Sequence, residues 1–323
     1  MAVTPRGKDS SQEASTDVWP PPEAAAGSWG GPPVHLVVDS STCLDPAGAA
    51  EAGVSVVPLH IVCDGRSHRD MLDLLPTEFY RSLREGVGIH STSAPSTGDY
   101  LSAFQQAPGD VLCLTCAASI TSMFQAASLA AEMAAEEGRR VEVVDTGTAA
   151  GGLRLLTLRA ARLAAEGRPA GEIARAIRDL SRRVRIFGAL ETIEFLARSG
   201  RVPQVASLGA RALGVRPVVR FARGRGGLVQ LARGPDGARR ALERILARRA
   251  EKDGAGPDGE RLVATVFHAD AIDEARLLAE RLEERFPRAD LSISEFTPAM
   301  GVHTGPGLVG HAFFVDPPEP PQG

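Results

Sequence analysis

The chain has 323 residues, 43% of them hydrophobic and 24% charged, which describes a globular protein long enough for one large domain or two of ordinary size. Its formal net charge of −4 excludes the basic balance of a general nucleic-acid binder. No run reaches the roughly 18 apolar residues of a membrane span, so none is expected.

Residues 1–33 are rich in Pro, Gly, Ser and acidic side chains and cannot bury enough apolar surface to offset their ordering entropy. They are expected to be a disordered extension without the apolar stretch of a secretory signal, and 318–323 a disordered tail. "VHLVVDSS" (34–41) predicts a buried parallel strand, and "VSVVPLHIVCDG" (54–65) a second one interrupted at Pro58. "LPTEFYRSLREG" (75–86) predicts a helix capped by Thr77, and "HSTSAPSTG" a polar segment before a helix around 98–106. "VLCLTC" (111–116) is the next strand, followed by an Ala-rich helix over 121–137, a strand over 141–148 and amphipathic helices over 153–167 and 170–184.

The second half starts with a strand over 185–190 and a helix stopped by Gly200. "GVRPVVRF" and "GGLVQLAR" predict strands, "GARRALERILARRAE" a helix, "LVATVFHA" a strand, "DEARLLAERLEERF" a helix and "ADLSISEFT" a last strand. Alternating strand and helix predict an α/β protein with a parallel sheet covered on both faces. Its two domains are expected over 34–185 and 186–317.

Four cysteines are too few for a disulfide framework in this length, and Cys113 and Cys116, a lone CxxC in an apolar run, read as buried strand residues. A reduced, cytoplasmic protein is expected. There is no GxxxxGK[ST] loop, no HExxH and no His pair at ligand spacing, so neither a metal nor a nucleotide cofactor is expected. "GPGLVG" (305–310) matches GxGxxG, but it lies too late for a βαβ unit to follow and Pro306 removes an amide donor. It reads as a Gly-rich turn with His303 and Thr304 at its entrance.

Ligands of open α/β sheets sit beyond the carboxyl ends of strands. Those ends carry Asp39, Ser40, Ser41 and Thr42, then Ser91, Thr92, Ser93 and Ser96, then Thr115, Ser119, Thr121 and Ser122, and lastly Asp145, Thr146 and Thr148. Helix capping explains part of the set, notably Asp39 to Ser41 and Thr146. The remainder is a set of neutral donors, which suits a carboxylate because hydroxyls bind it without adding another buried charge. A hydrolase with a Ser or Thr nucleophile and His303 as base is the alternative, although no GxSxG elbow is present. A sensor of another small carboxylate or lipid is a further one.

In this order "VDSSTCLD", "VSVVPLHIVCDG" followed by Asp70, "TEFYRSL", "STSAPSTGDYLSAF", "LETIEFLARSGRV" and "HTGPGLVG" resemble the DegV family of bacterial fatty-acid-binding proteins, over about 34–315. The resemblance implies two α/β domains with a fatty acid between them, its acyl chain in an apolar tunnel and its carboxylate held by hydroxyls and a histidine. By position these are Thr92 and Ser93, then Thr121 or Ser119 depending on where "ASITSMFQAA" is anchored, and His303. Arg201, in "SGRV", falls on a position expected either to dock a partner or to be a solvated arginine or a structural ion pair. The resemblance further implies a non-catalytic carrier that presents its fatty acid to a separate fatty acid kinase subunit. Ala94 stands where the family pattern has Gln, and "ASITSMFQAA" departs from the family's "LSGTYQSA".

Overall fold

The computed structural model describes residues 34–63, 65–86, 90–200 and 214–317. The expected N-terminal extension and C-terminal tail lie outside the described residues.

The first domain runs β1 (Val34–Asp39), α1 (Pro46–Glu51), β2 (Val54–Val57), β3 (His60–Cys63), β4 (Arg66–Arg69), α2 (Pro76–Arg84) and β5 (His90–Ser93). It continues with α3 (Thr97–Gln106), β6 (Asp110–Thr115), α4 (Met123–Glu136), β7 (Val141–Asp145), α5 (Gly151–Ala165) and α6 (Ala170–Ser181). β2, β1, β6 and β7 form an all-parallel sheet in that order. The unbroken apolar runs of β1 and β6 follow from cover on both faces. Leu36, Val38, Leu112 and Leu114 enter one core, and Val37, Val111 and Cys113 the other.

Pro58 divides the expected second strand into two, and they join different sheets. β2 stays in the parallel sheet, while β3 pairs antiparallel with β4 and β5 in a small sheet ordered β4-β3-β5. β5 lies in the stretch expected to be a polar segment; its ladder with β3, which sets Thr92 opposite Ile61, makes it a strand. The α2 N-cap is Leu75 rather than Thr77, because Pro76 occupies the first helical position, where its fixed φ is already suitable. Ser96 and Asp99 close a capping box at the start of α3.

The second domain runs β8 (Arg185–Ala189), α7 (Glu194–Ser199), β9 (Val215–Ala222), β10 (Arg225–Arg233) and α8 (Gly234–Asp253). β11 (Leu262–His268), α9 (Ile272–Arg285), β12 (Asp290–Glu295), α10 (Pro298–Thr304) and β13 (Val309–Val315) complete it. Gly200 stops α7 at φ 65, as expected. The six strands are ordered β10-β9-β8-β13-β11-β12, and only β11 and β12 are parallel. β9 and β10 form a hairpin, and β13 returns between β8 and β11. α8 and α9 cover one face of this sheet through Leu242, Leu246, Leu278 and Leu282.

The other face turns toward the first domain. Leu153 and Leu156 of α5 share one continuous core with Ile186, Phe267 and Phe314, so α5 is packed between the two large sheets. Among the described residues, no helix is long and apolar enough to cross a membrane. Cys43, Cys113 and Cys116 are free and buried.

Candidate functional site

Where the two domains face one another they leave a cavity of about 1070 Å³ of atom-free space, its open mouth included. Its second-domain wall follows from strand geometry. Successive side chains of a strand point to opposite faces, so Ile186, Gly188 and Leu190 line the cavity while Phe187 and Ala189 enter the core on the other side. Val219 and Phe221 of β9 continue this wall. Phe267 and Phe296 also line it, stacked with ring centroids 5.0 Å apart. The first domain contributes Ser41, Cys116, Ile120 and Ala149, all just beyond the carboxyl ends of parallel strands.

A polar cluster breaks this apolar lining. Thr92, half-buried on β5, has its Oγ1 2.8 Å from Nε2 of His303 on α10, the donor being set by the imidazole tautomer. Thr121, between β6 and α4, lines the same cavity, as does Thr304 beside His303. Thr92, Thr121 and His303 therefore face one cavity although they belong to a small antiparallel sheet, a strand-end loop and a seven-residue helix. Ser93 points the other way on β5, is exposed, and donates to its neighbour's carbonyl, Ala94 O, at 3.2 Å. The hydroxyl of Ser119 donates to Gly224 O at 2.9 Å, tying the first domain to the β9–β10 turn. Neither Ser93 nor Ser119 lines the cavity. Arg201 lies outside the described residues.

His303 lies in the last turn of α10, at the entrance of the Gly-rich turn, and α10 packs tightly on α2. A Cβ on Gly301 would come within 2.6 Å of both the Phe79 ring and the Tyr80 hydroxyl. Tyr80 also donates to Phe296 O at 3.0 Å. These first-domain rings hold the second-domain helix that carries the imidazole.

Other polar groups at the strand ends, Asp39 and Thr146 among them, serve structure. Asp39, with no exposed surface, caps the short 3-10 turn Ser40–Thr42 by accepting from Ser41 N, and accepts from Cys116 N at 3.0 Å. Burial pushes its carboxyl above the ordinary aspartate range. Thr146 donates to Thr115 O at 2.8 Å. Among the described residues no group of three or more His, Cys, Asp and Glu is placed to hold a metal ion. The family resemblance implied an apolar tunnel, but the sequence did not point out the residues of its aliphatic and aromatic wall.

Two kinds of comparison bear on this geometry. The DegV family model matches residues 33–316. The chain belongs to the DegV family. A DegV domain-containing protein of Streptomyces coelicolor is 31% identical over 282 residues, spanning 86% of this chain and 96% of the relative. A DegV family protein from Thermus thermophilus, described as fatty acid binding, superimposes with a TM-score of 0.79 at 29% identity, over 88% of this chain and 100% of its own. A stearic acid-binding protein from Eubacterium ventriosum has the same fold, with a TM-score of 0.78 at 21% identity over 87% of this chain and 98% of its own. Both superimpose on this chain as folds of two α/β domains.

Proposed function

We propose that this DegV protein binds a long-chain fatty acid between its domains, with the acyl chain along the apolar wall and the carboxylate at Thr92, Thr121 and His303. The observation that carries this reading is the placement of the Thr92–His303 pair on a largely apolar cavity, whose other polar lining residues include Ser41, Thr121, Thr304 and Arg220. Neutral hydroxyls can donate to a carboxylate, and an imidazole can do so from Nε2. The magnitudes suit a lipid. Burying about 14 methylenes at ~0.8 kcal/mol each contributes roughly 11 kcal/mol. Association and ordering cost several kcal/mol of that, which leaves binding of micromolar strength or tighter. The acyl chain supplies affinity, and the polar groups choose which end enters.

The relatives' fatty-acid binding supports the ligand class. The family resemblance supports a carrier that presents its carboxylate to a kinase subunit, with Arg201 as a docking residue. Native mass spectrometry of protein purified from cells tests the ligand. A co-purifying fatty acid, displaced by added palmitate, is expected; a protein that carries none and takes up none sinks the reading. Thr92→Val removes one donor while keeping the side chain's shape. It should weaken palmitate binding about tenfold in titration calorimetry, since an unmet polar partner costs roughly 1–3 kcal/mol. Unchanged affinity would remove Thr92 from the site.

A further inference from the structure

Helix α10 carries His303, yet its own N-cap residue does not cap it: Thr297 makes no side-chain cap bond. The N–H of Ala299 is accepted instead by Oδ1 of Asp70, at 3.0 Å, from the other domain. Asp70 is wholly buried. Its second oxygen accepts from Ser40 Oγ at 2.7 Å, and Ser40 Oγ in turn accepts from Leu59 N at 3.0 Å. The carboxylate is thereby fixed at both oxygens. One reaches back to the end of β1, and the other reaches forward to the helix that brings His303 to Thr92.

Ala299 and His303 are four residues apart, about one helical turn and ~6 Å along the axis, on the same side of the helix. With only seven residues, α10 cannot absorb a shift at its start before His303 is reached. The 2.8 Å contact between His303 Nε2 and Thr92 Oγ1 leaves well under 1 Å before it ceases to be a hydrogen bond. Other groups fix the helix sideways, as the packing of Phe79 and Tyr80 on Gly301 shows. The Asp70 link ties its first turn to the buried end of the parallel sheet.

We propose that Asp70 is the positioning residue for His303: from the first domain it caps the second-domain helix α10 and so sets the imidazole against Thr92, an assignment that rests on the carboxylate-site reading above. Asp70 does not line the cavity. It acts through the helix. The aspartate that follows "VSVVPLHIVCDG" in the sequence is thereby given a task that the hydroxyl list did not contain.

The test reads His303 directly. Long-range 1H–15N spectra of the imidazole are recorded on delipidated wild type, Asp70→Ala, Asp70→Asn and Ser40→Ala, with His303→Gln identifying the signal. Asp70→Ala should move the His303 ring-nitrogen signals away from wild-type values and weaken palmitate binding about tenfold. Asp70→Asn keeps an oxygen for Ala299 N and should return both readouts close to wild type. A folded Asp70→Ala protein with wild-type His303 signals would overturn the assignment, as would an Asn variant as impaired as the Ala variant. Should Asp70→Ala not fold, Ser40→Ala loosens the same carboxylate from one side. A smaller displacement of the His303 signals is then expected, and wild-type signals overturn the proposal. Because the spectra need no lipid, this result is separate from the ligand assignment, which fails by itself if wild type takes up no palmitate.

Discussion

Replacing Gly188 by valine should lower palmitate affinity by roughly 60-fold and leave the protein folded. Gly188 lies in the middle of β8, with its missing side chain directed at the cavity. A Cβ there would meet Leu308 Cδ1 at 3.0 Å and Phe267 Cε2 at 3.7 Å, both side-chain atoms of cavity-lining residues, and Leu308 Cδ1 is the end of a flexible chain. Valine therefore fits by taking space that an acyl chain would use, and its branched side chain suits a strand. Its three carbons displace about three methylenes, and at ~0.8 kcal/mol each that loses about 2.4 kcal/mol, a factor of about 60. Calorimetric titration with palmitate, beside a thermal melt, would check it. A folded variant that binds palmitate as wild type does would put the acyl chain elsewhere. Gly310 provides the contrast. A Cβ there would meet the carbonyl oxygen of Phe187 and the Phe267 ring, both at 2.4 Å, so a side chain at Gly310 disrupts the sheet instead of filling the cavity.

That contrast also shows what the sequence made legible. The runs "VHLVVD" and "VLCLTC" could be read as central parallel strands because unbroken apolar character needs cover on both faces, and both are central in the parallel sheet. Pro58 announced a break but not its consequence: which sheet β3 joins is decided by partners distant in the chain. The antiparallel second sheet was not legible either. β13 is buried at every residue, yet its Gly310 reads in "HTGPGLVG" as part of a Gly-rich turn. Gly310 is there because Phe267 lies against the strand, a contact between residues more than forty positions apart.

For the site, hydroxyl chemistry was visible and orientation was not. Thr92 and Ser93 are equivalent in the sequence, but a strand sends adjacent side chains to opposite faces, and only Thr92 meets His303. Ser119 and Thr121 were alternatives on the resemblance; Thr121 lines the cavity, while the Ser119 hydroxyl holds the β9–β10 turn. Reading Asp39 to Ser41 as capping residues described Asp39 correctly. What escaped was Asp70, since a helix capped by a carboxylate from another domain leaves no local pattern.

Acid should destabilise the protein chiefly through two histidines remote from the cavity. His35 on β1 is 2.8 Å from Ser55 Oγ through Nε2, and burial, reinforced by the charge of Arg139, lowers its pKa to about 4. His311 on β13 has no exposed surface, lies 3.1 Å from Leu242 O through Nε2, and is likewise lowered by burial to about 4. A folded-state pKa below the unfolded value of about 6.5 gives stability that is present above 6.5 and lost as pH falls toward 4, on the order of 3 kcal/mol for each histidine at pH 4. Asp70 works the other way. Burial raises its pKa to about 6, so its contribution is present below about 4 and lost as pH rises through 6, an opposing gain of about 2 kcal/mol on acidification. The histidines win, and urea denaturation should show a loss of about 4 kcal/mol from these groups between pH 7 and pH 4. His311→Gln keeps a donor for Leu242 O and removes the titrating ring; it should shrink that loss by about 3 kcal/mol, whereas Asp70→Asn should enlarge it by about 2. If the His311→Gln protein loses as much stability over this interval as wild type, the buried imidazole is not what acid attacks.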